Sequence, residues 1–252
     1  MILNDENKRI LLNSLNKEGF LLEDKVWKIL EGVDFLGIER SKVIEHKGER
    51  VEIDFILKRG FQTFIGECKK TEYSWIFAKA LERPNTLNLI YDSKEGMEII
   101  SKSTDFFKTA WTEIAVNLDS DGNIERNNNS ELAKIPRNNI HEKVKQALKE
   151  LEAYIYNNRD IGKFIIPIII TNSKLYYFDY TKSDINNNGD LINFQDLEEV
   201  NYLVYNFPEI LRWDKGQQIV QSLSNSDHHI KTVFIVNINY LNEFLKEIDS
   251  RI

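Results

Sequence analysis

Apolar residues recur at Leu22, Val26, Ile29 and Leu30, the spacing of one helical face, so residues 20–31 are predicted as a helix that Gly32 stops. A shorter helix is expected before it over 5–18, capped by Asn4 or Asp5, with Ile10, Leu11 and Leu15 on one side and Gly19 at its end. The pattern then changes period. Residues 35–45, 51–58 (VEIDFILK) and 62–69 (QTFIGECK) read as strands, separated by turns at His46-Lys47-Gly48-Glu49 and Arg59-Gly60. A helix followed by a three-strand meander is the result.

The stretch 71–137 is less regular and is treated as an insertion. Within it TLNLIY and the residues around EIISKS pair as a hairpin looped over Asp92 to Gly96, and 119–130 is a polar loop. Helical spacing returns with Ile140, Val144, Ala147, Leu148, Leu151, Tyr154 and Ile155, which predicts a helix of about 18 residues from Asn139, capped by Asn138 or Asn139. FIIPIIIT and LYYFDY follow as two strands joined by a tight turn at Asn172-Ser173. Pro167, which has no N–H to donate, is expected at a strand start or a bulge. Beyond a loop at 183–190, helices are expected over 196–206, 214–224 and 240–250, and a strand over 232–238. The chain divides into an N-terminal helix (1–19), a core (20–182) interrupted at 71–137, and a C-terminal α/β extension (183–252) packed on the core.

Composition narrows the setting. Apolar residues make up 42% of the 252, enough for a sizeable core. No run approaches the ~20 apolar residues of a membrane span. The opening MILNDENKRI lacks the order of a secretory signal, and the single cysteine, Cys68, forms no internal disulfide, so a cytoplasmic protein is expected. The net charge of −7 argues against a broad basic surface, so any contact with phosphates is local.

The chemistry lies in VEIDFIL and FIGECKK. Alternation along an extended strand points Glu67 and Lys69 the same way and Cys68 the other. Asp54, on the preceding hairpin arm, comes beside Glu67. Two carboxylates held together out of water need a positive partner. A magnesium ion supplies one, because it takes oxygen ligands and accepts one or two carboxylates. Lys69 would orient or help deprotonate an attacking water, or neutralise developing charge.

This arrangement resembles the PD-(D/E)XK nuclease superfamily, in which an Asp, a variable gap and (D/E)-x-K sit on an α-β-β-β-α-β core. Asp54 matches the first acid and Glu67-Cys68-Lys69 the E-x-K, with Ile53 where the pattern has Pro. The resemblance covers roughly 20–70 and 139–180. It implies a mixed α/β (α+β), restriction-endonuclease-like core, a mixed sheet flanked by helices. It also implies a magnesium-dependent endodeoxyribonuclease in which manganese substitutes, with DNA as partner, a role in restriction or defence, and a homodimer or higher oligomer. Many members add an acid from the first helix. Of Glu23 and Asp24, Glu23 shares a face with Val26, Trp27 and Leu30 and is chosen as a catalytic and metal residue beside Asp54, Glu67 and Lys69. Lys143, Lys145 and Lys149 on the second helix, and Lys70, are the candidate phosphate contacts; Lys134, Arg137, Arg159 and Lys163 extend that basic stretch, and Gln146 flanks the helix's apolar stripe.

Plainer readings compete. A short E-x-K string is usually a solvated strand face. A non-cleaving nucleic-acid-binding or interaction module on the same fold, or a nuclease for RNA or branched DNA, would keep the same residues. Glu52 is read as a salt-bridge partner and Cys68 as packing. Tyr73, Trp75 and Phe77 are read as core or interface, and His228-His229 as a surface loop. Asp184-x-Asn186-x-Asn188-Gly189 imitates the start of a calcium loop but has Gln195 at the twelfth position, so it is read as an Asn/Gly turn.

Overall fold

A computed structural model of the chain describes residues 4, 6–10, 12, 19–33, 37–79, 85–116, 139–179, 184–188, 191–193, 197–208 and 230–252. The first helix, α1 (Phe20–Glu31), is followed by β1 (Gly37–His46), β2 (Glu49–Arg59) and β3 (Gln62–Lys69). The insertion supplies β4 (Ser74–Lys79), β5 (Thr86–Asp92), β6 (Met97–Ser103), β7 (Thr109–Ala110) and β8 (Thr112–Val116). Then come α2 (Asn139–Asn157), β9 (Lys163–Thr171), β10 (Leu175–Asp179), β11 (Asp184–Ile185), β12 (Leu191–Asn193), β13 (Glu198–Val200), β14 (Tyr202–Pro208), β15 (Ile230–Asn237) and α3 (Leu241–Arg251). The chain is therefore a strand-rich mixed α/β protein with few helices. Among the described residues no helix is long and apolar enough to cross a membrane.

The main sheet runs β1-β2-β3-β9-β15-β14-β7, with the β5–β6 hairpin joined to β9. The first three strands are an antiparallel meander. Its first turn places Lys47 (φ 52°) and Gly48 (φ 79°) in the left-handed region, as a two-residue hairpin turn requires. β9 lies parallel to β3, with Gln62 opposite Phe164 and Lys69 opposite Thr171. A parallel neighbour needs a crossover, and the insertion plus α2 form it.

Each face of this sheet carries its own core. Ile65, Ile165 and Ile169 pack against Val144, Leu148 and Leu151 of α2. Phe64, Cys68, Ile166, Ile168 and Ile170 pack instead against Leu22, Val26 and Leu30 of α1 and Phe244, Leu245 and Ile248 of α3. β9 is buried on both sides, which is why its sequence is an unbroken apolar run. The strand runs straight through Pro167. On the edge away from β3, Lys163 to Ile165 pair with β5, and Ile168 to Thr171 pair with β15. Pro167 falls between these spans, where no partner on that edge asks for its missing N–H.

The second sheet, β13-β10-β4-β8, is an outgrowth of the first. β3 and β9 both leave the main sheet just after Lys69 and Thr171, and their continuations β4 and β10 pair again in parallel, Trp75 opposite Leu175. The two bends are tied together. Thr71 N donates to Asn172 Oδ1 (2.8 Å), Asn172 Nδ2 to the Thr71 carbonyl (3.0 Å), and Ser173 Oγ to the Tyr73 carbonyl (2.8 Å). Trp75 and Phe77 are wholly buried in this second layer.

Three expectations need correction. The tight turn at Asn172-Ser173 does not make a hairpin, because β10 pairs with β4 and β13 rather than with β9. The helix expected over 196–206 is replaced by β13 and β14. Leu203, Tyr205 and Phe207 face the α2-side core and Val204 the other, a period of two that overrides helical spacing. The C-terminal segment does not merely pack on the core, because β15 and β14 hydrogen-bond into the main sheet beside β9. The helix over 5–18 lies mostly, and 119–130, Lys134, Arg137, 214–224 and His228-His229 lie wholly, outside the described residues.

Far from the second sheet, at the other end of β3 and β9, two buried aspartates in a charge network tie α2 to the strands. Asp92 accepts from Arg159 Nε (2.9 Å) and the Asp160 amide (2.5 Å), while Asp160 accepts from Lys58 Nζ (2.8 Å) and the Tyr154 hydroxyl (2.5 Å).

Gly66 has a packing role of its own. Phe55 stands opposite it across the β2–β3 ladder, and a Cβ on Gly66 would fall 1.9 Å from Cζ of that ring. The aromatic ring covers the missing side chain. Gly66→Ala is expected to destabilise the fold by about 2 kcal/mol. Adding Phe55→Leu should return part of that loss, which a double-mutant cycle in urea would measure.

Candidate metal centre

Phe55 opposite Gly66 is the last paired position of the β2–β3 ladder, so Asp54 and Glu67 are the next pair in register, directly across from each other where the strands part. The β1 side of Asp54 is also open. The β1–β2 register is continuous except at Ser41, which should face Asp54 and instead adopts φ 48°, a conformation side chains other than glycine rarely take. Asp54 is thus the point where β2 is released on both sides. The facing pattern slips there too. Val51 and Ile53 belong to the α2-side core, yet so does Ile56, while Phe55 and Leu57 face α1.

The freed carboxyl of Asp54 turns into the gap and accepts from the Cys68 amide at 2.7 Å. Glu67 and Lys69 share the α2 side with Ile65, and Cys68 points into the α1-side core, as alternation requires. Glu67 is only 1% exposed. Its Oε1 is ion-paired with Lys69 Nζ, and its Oε2 is buried without a hydrogen-bond partner.

A residue that the sequence reading passed over completes this pocket. Glu150 of α2 is 2% exposed, and neither of its carboxyl oxygens makes a hydrogen bond. It lies close enough to Asp54 and Lys69 for their charges to act on it. Its signal was present in the sequence. Three residues after Ala147 and four before Tyr154, a carboxyl sits inside the apolar stripe of the helix.

The electrostatics follow from this crowding. Burial pushes Asp54 up to about 6; the Cys68 amide opposes the rise, and the Glu23 charge adds to it. Burial raises Glu150 far above the usual carboxylate range, with Asp54 contributing next. Lys69 is held below the ordinary lysine value by burial first and the Lys143 charge second. Burial, then Asp54, keeps the Cys68 thiol protonated, which suits a packing residue.

The other expected residues are distributed as follows. Glu23 reaches the site electrostatically but from the α1 side, and its Oε1 lies back near Gly19 at the start of its own helix. Asp24 is ion-paired with Arg40 at the surface. Lys143 stands near Lys69, as its effect there requires. Lys145 and Lys149 are exposed and pair with Glu142 (3.9 Å) and Glu49 (2.5 Å), while Lys70 is half-buried at the bend after β3. Glu52 is exposed on β2, with its charge acting on Asp54 and Glu150.

Among the described residues, no group of three or more His, Cys, Asp or Glu side chains is placed to hold a metal ion as the side chains stand. The donor balance nonetheless fits a hard cation. The charges of Glu23, Asp54 and Glu150 act on Lys69, that of Glu52 acts on Asp54 and Glu150, Glu67 is ion-paired with Lys69, and three buried oxygens of Glu67 and Glu150 have no hydrogen-bond partner. Asp54 and Glu67 could hold a divalent ion through oxygen, the ligand type magnesium prefers.

The raised value of Asp54 has a definite sign. An acid whose folded value lies above its unfolded 3.8 binds more protons when folded, so stability falls as pH rises from 3.8 through about 6. Without divalent ions, Asp54→Asn is therefore expected to stabilise the fold at pH 8 by on the order of 2 kcal/mol, seen as a higher melting temperature, and to change little at pH 4. Thermal denaturation in EDTA at both pH values checks this. Comparison with known proteins adds no relative: no family model matches the chain, and neither curated proteins nor solved structures yield a match.

Proposed function

We propose that the chain is a metal-dependent endonuclease that hydrolyses DNA phosphodiester bonds, built on a restriction-endonuclease-like core. The observation that carries this reading is the register that sets Asp54 against Glu67 at the open end of the β2–β3 ladder, with Lys69 on the same side. The element order supports it: a helix, three antiparallel strands, a crossover with a helix, and a strand parallel to the third. Magnesium or manganese, when bound, would stabilise charge on the phosphate oxygens and lower the pKa of a coordinated water.

The chain's own residues do the rest. Asp54 and Glu67 present oxygens from two strands whose separation is fixed by the ladder below them. Lys69 is depressed by burial and by Lys143, which brings its Nζ closer to proton exchange at neutral pH and lets it hold or take a proton from an attacking water. Lys143, whose charge acts on Lys69, and Lys70, next to Lys69 in the chain, are the lysines that would meet a phosphate backbone there. Lys145 and Lys149 could do so by giving up weak surface pairs. A role in restriction or defence, and a homodimer for cutting both strands, rest on the family resemblance.

The net charge of −7 favours a second reading, a non-cleaving binding module on the same fold. Plasmid nicking separates them. Wild type is expected to nick supercoiled DNA in magnesium and not in EDTA. Asp54→Ala and Lys69→Ala should each lose at least ~100-fold while keeping wild-type circular dichroism. Equal nicking by all three proteins would overturn the assignment of these residues, and no nicking by wild type on DNA, RNA or branched substrates would favour the binding module.

A further inference from the structure

Among the described residues, Glu150 is a buried carboxyl with neither oxygen hydrogen-bonded. An unpaired buried carboxyl destabilises a protein, and packing alone would be better served by Leu, Met or Gln. Its neighbours along α2 are satisfied elsewhere: Lys149 bonds Glu49, and Glu152 bonds Lys47 (2.8 Å). The Gln146 side chain, one turn back, is near enough to lower the Glu150 value as a hydrogen-bond donor does, but it meets neither oxygen within ordinary hydrogen-bond distance and angle. The nearest ammonium, Lys69, is engaged by Glu67. So two buried carboxyls on the same side of the sheet, Glu67 from β3 and Glu150 from α2, together carry three oxygens that accept nothing.

We propose that Glu150 is a third oxygen ligand for the divalent cation, supplied by α2 on the side where Glu67 stands, in the role first assigned to Glu23 of α1. This rests on the metal-dependent reading above. Glu23 approaches from the opposite face with its carboxyl turned toward Gly19, whereas Glu150 is held by a packed helix over the strand that carries Glu67. The ligand set is carboxylate only. The Cys68 sulfur points away into the other core. Such a set selects magnesium or manganese over zinc.

The test is calorimetric titration of manganese chloride into the full chain, with electron paramagnetic resonance as a second readout of bound manganese. Glu150→Gln is expected to weaken binding at least tenfold, and Glu23→Gln by less than threefold. Melted in EDTA, Glu150→Gln should be no less stable than wild type, because it removes a buried carboxyl that has no partner. Wild-type affinity in Glu150→Gln, or the larger loss in Glu23→Gln, would overturn the assignment and leave the metal-dependent reading standing. A wild type that takes up no manganese would overturn both. A Glu150→Gln protein less stable in EDTA would mark a structural role and equally overturn it. Should that variant not fold, Glu150→Asp, which shortens the same carboxylate, is expected to lose affinity partly; unchanged affinity there would count against the proposal.

Discussion

Carboxyl groups placed closer together, and deeper, than their donors can satisfy are the constraint around which this molecule is organised. Glu67 and Glu150 are almost completely buried, Asp54 is half-buried, and Lys69 can answer only one of them. Sites of this kind are unstable alone, because burial disfavours every charged form. They persist where the surrounding structure is stiff enough to impose them. Here the stiffness comes from one sheet packed on both faces, with α2 on one side and α1 and α3 on the other.

The same sheet also creates the opening that the carboxyls occupy. Below the site, β2 and β3 are in continuous register, and the Phe55 ring closes over Gly66. At Asp54 pairing stops on both edges, and Ser41 takes a strained conformation opposite it. Strain of this sort is tolerated at functional positions when neighbouring structure holds it in place. An intact ladder would have buried Asp54 against its neighbours; the interrupted one lets its carboxyl turn inward to the Cys68 amide.

Much of this was legible in the sequence. The bounds of α1 and β3, the two hairpin turns and the opposed faces of Glu67 and Cys68 all follow from periodicity and turn chemistry, since those are local properties. The pairing of Asp54 with Glu67 was legible because a short turn fixes the register. What could not be read depended on distant partners. Strict alternation would have placed Val51, Ile53, Phe55 and Leu57 on one face, and only the unpaired position at Asp54 breaks it. β10 resembled the second arm of a hairpin because nothing local records that its neighbour is β4. β14 resembled a helix because its apolar residues serve two different cores. Glu150 was the one avoidable omission: a charged residue inside an apolar stripe is visible without any structure.

The paired bends after Lys69 and Thr171 carry a last implication. β3 and β9 each lead through a short bend into the second layer, where β4 and β10 are neighbours again. The segment between β3 and α2 is therefore no removable ornament. Trimming it would take away the rail along which Lys69 is aligned, and loosening the far layer would be transmitted along two covalently continuous strands to the carboxyls. Homologous chains would be expected to vary in their outer hairpins while keeping β4, and a binding event on the outer layer would have a direct mechanical route to the centre.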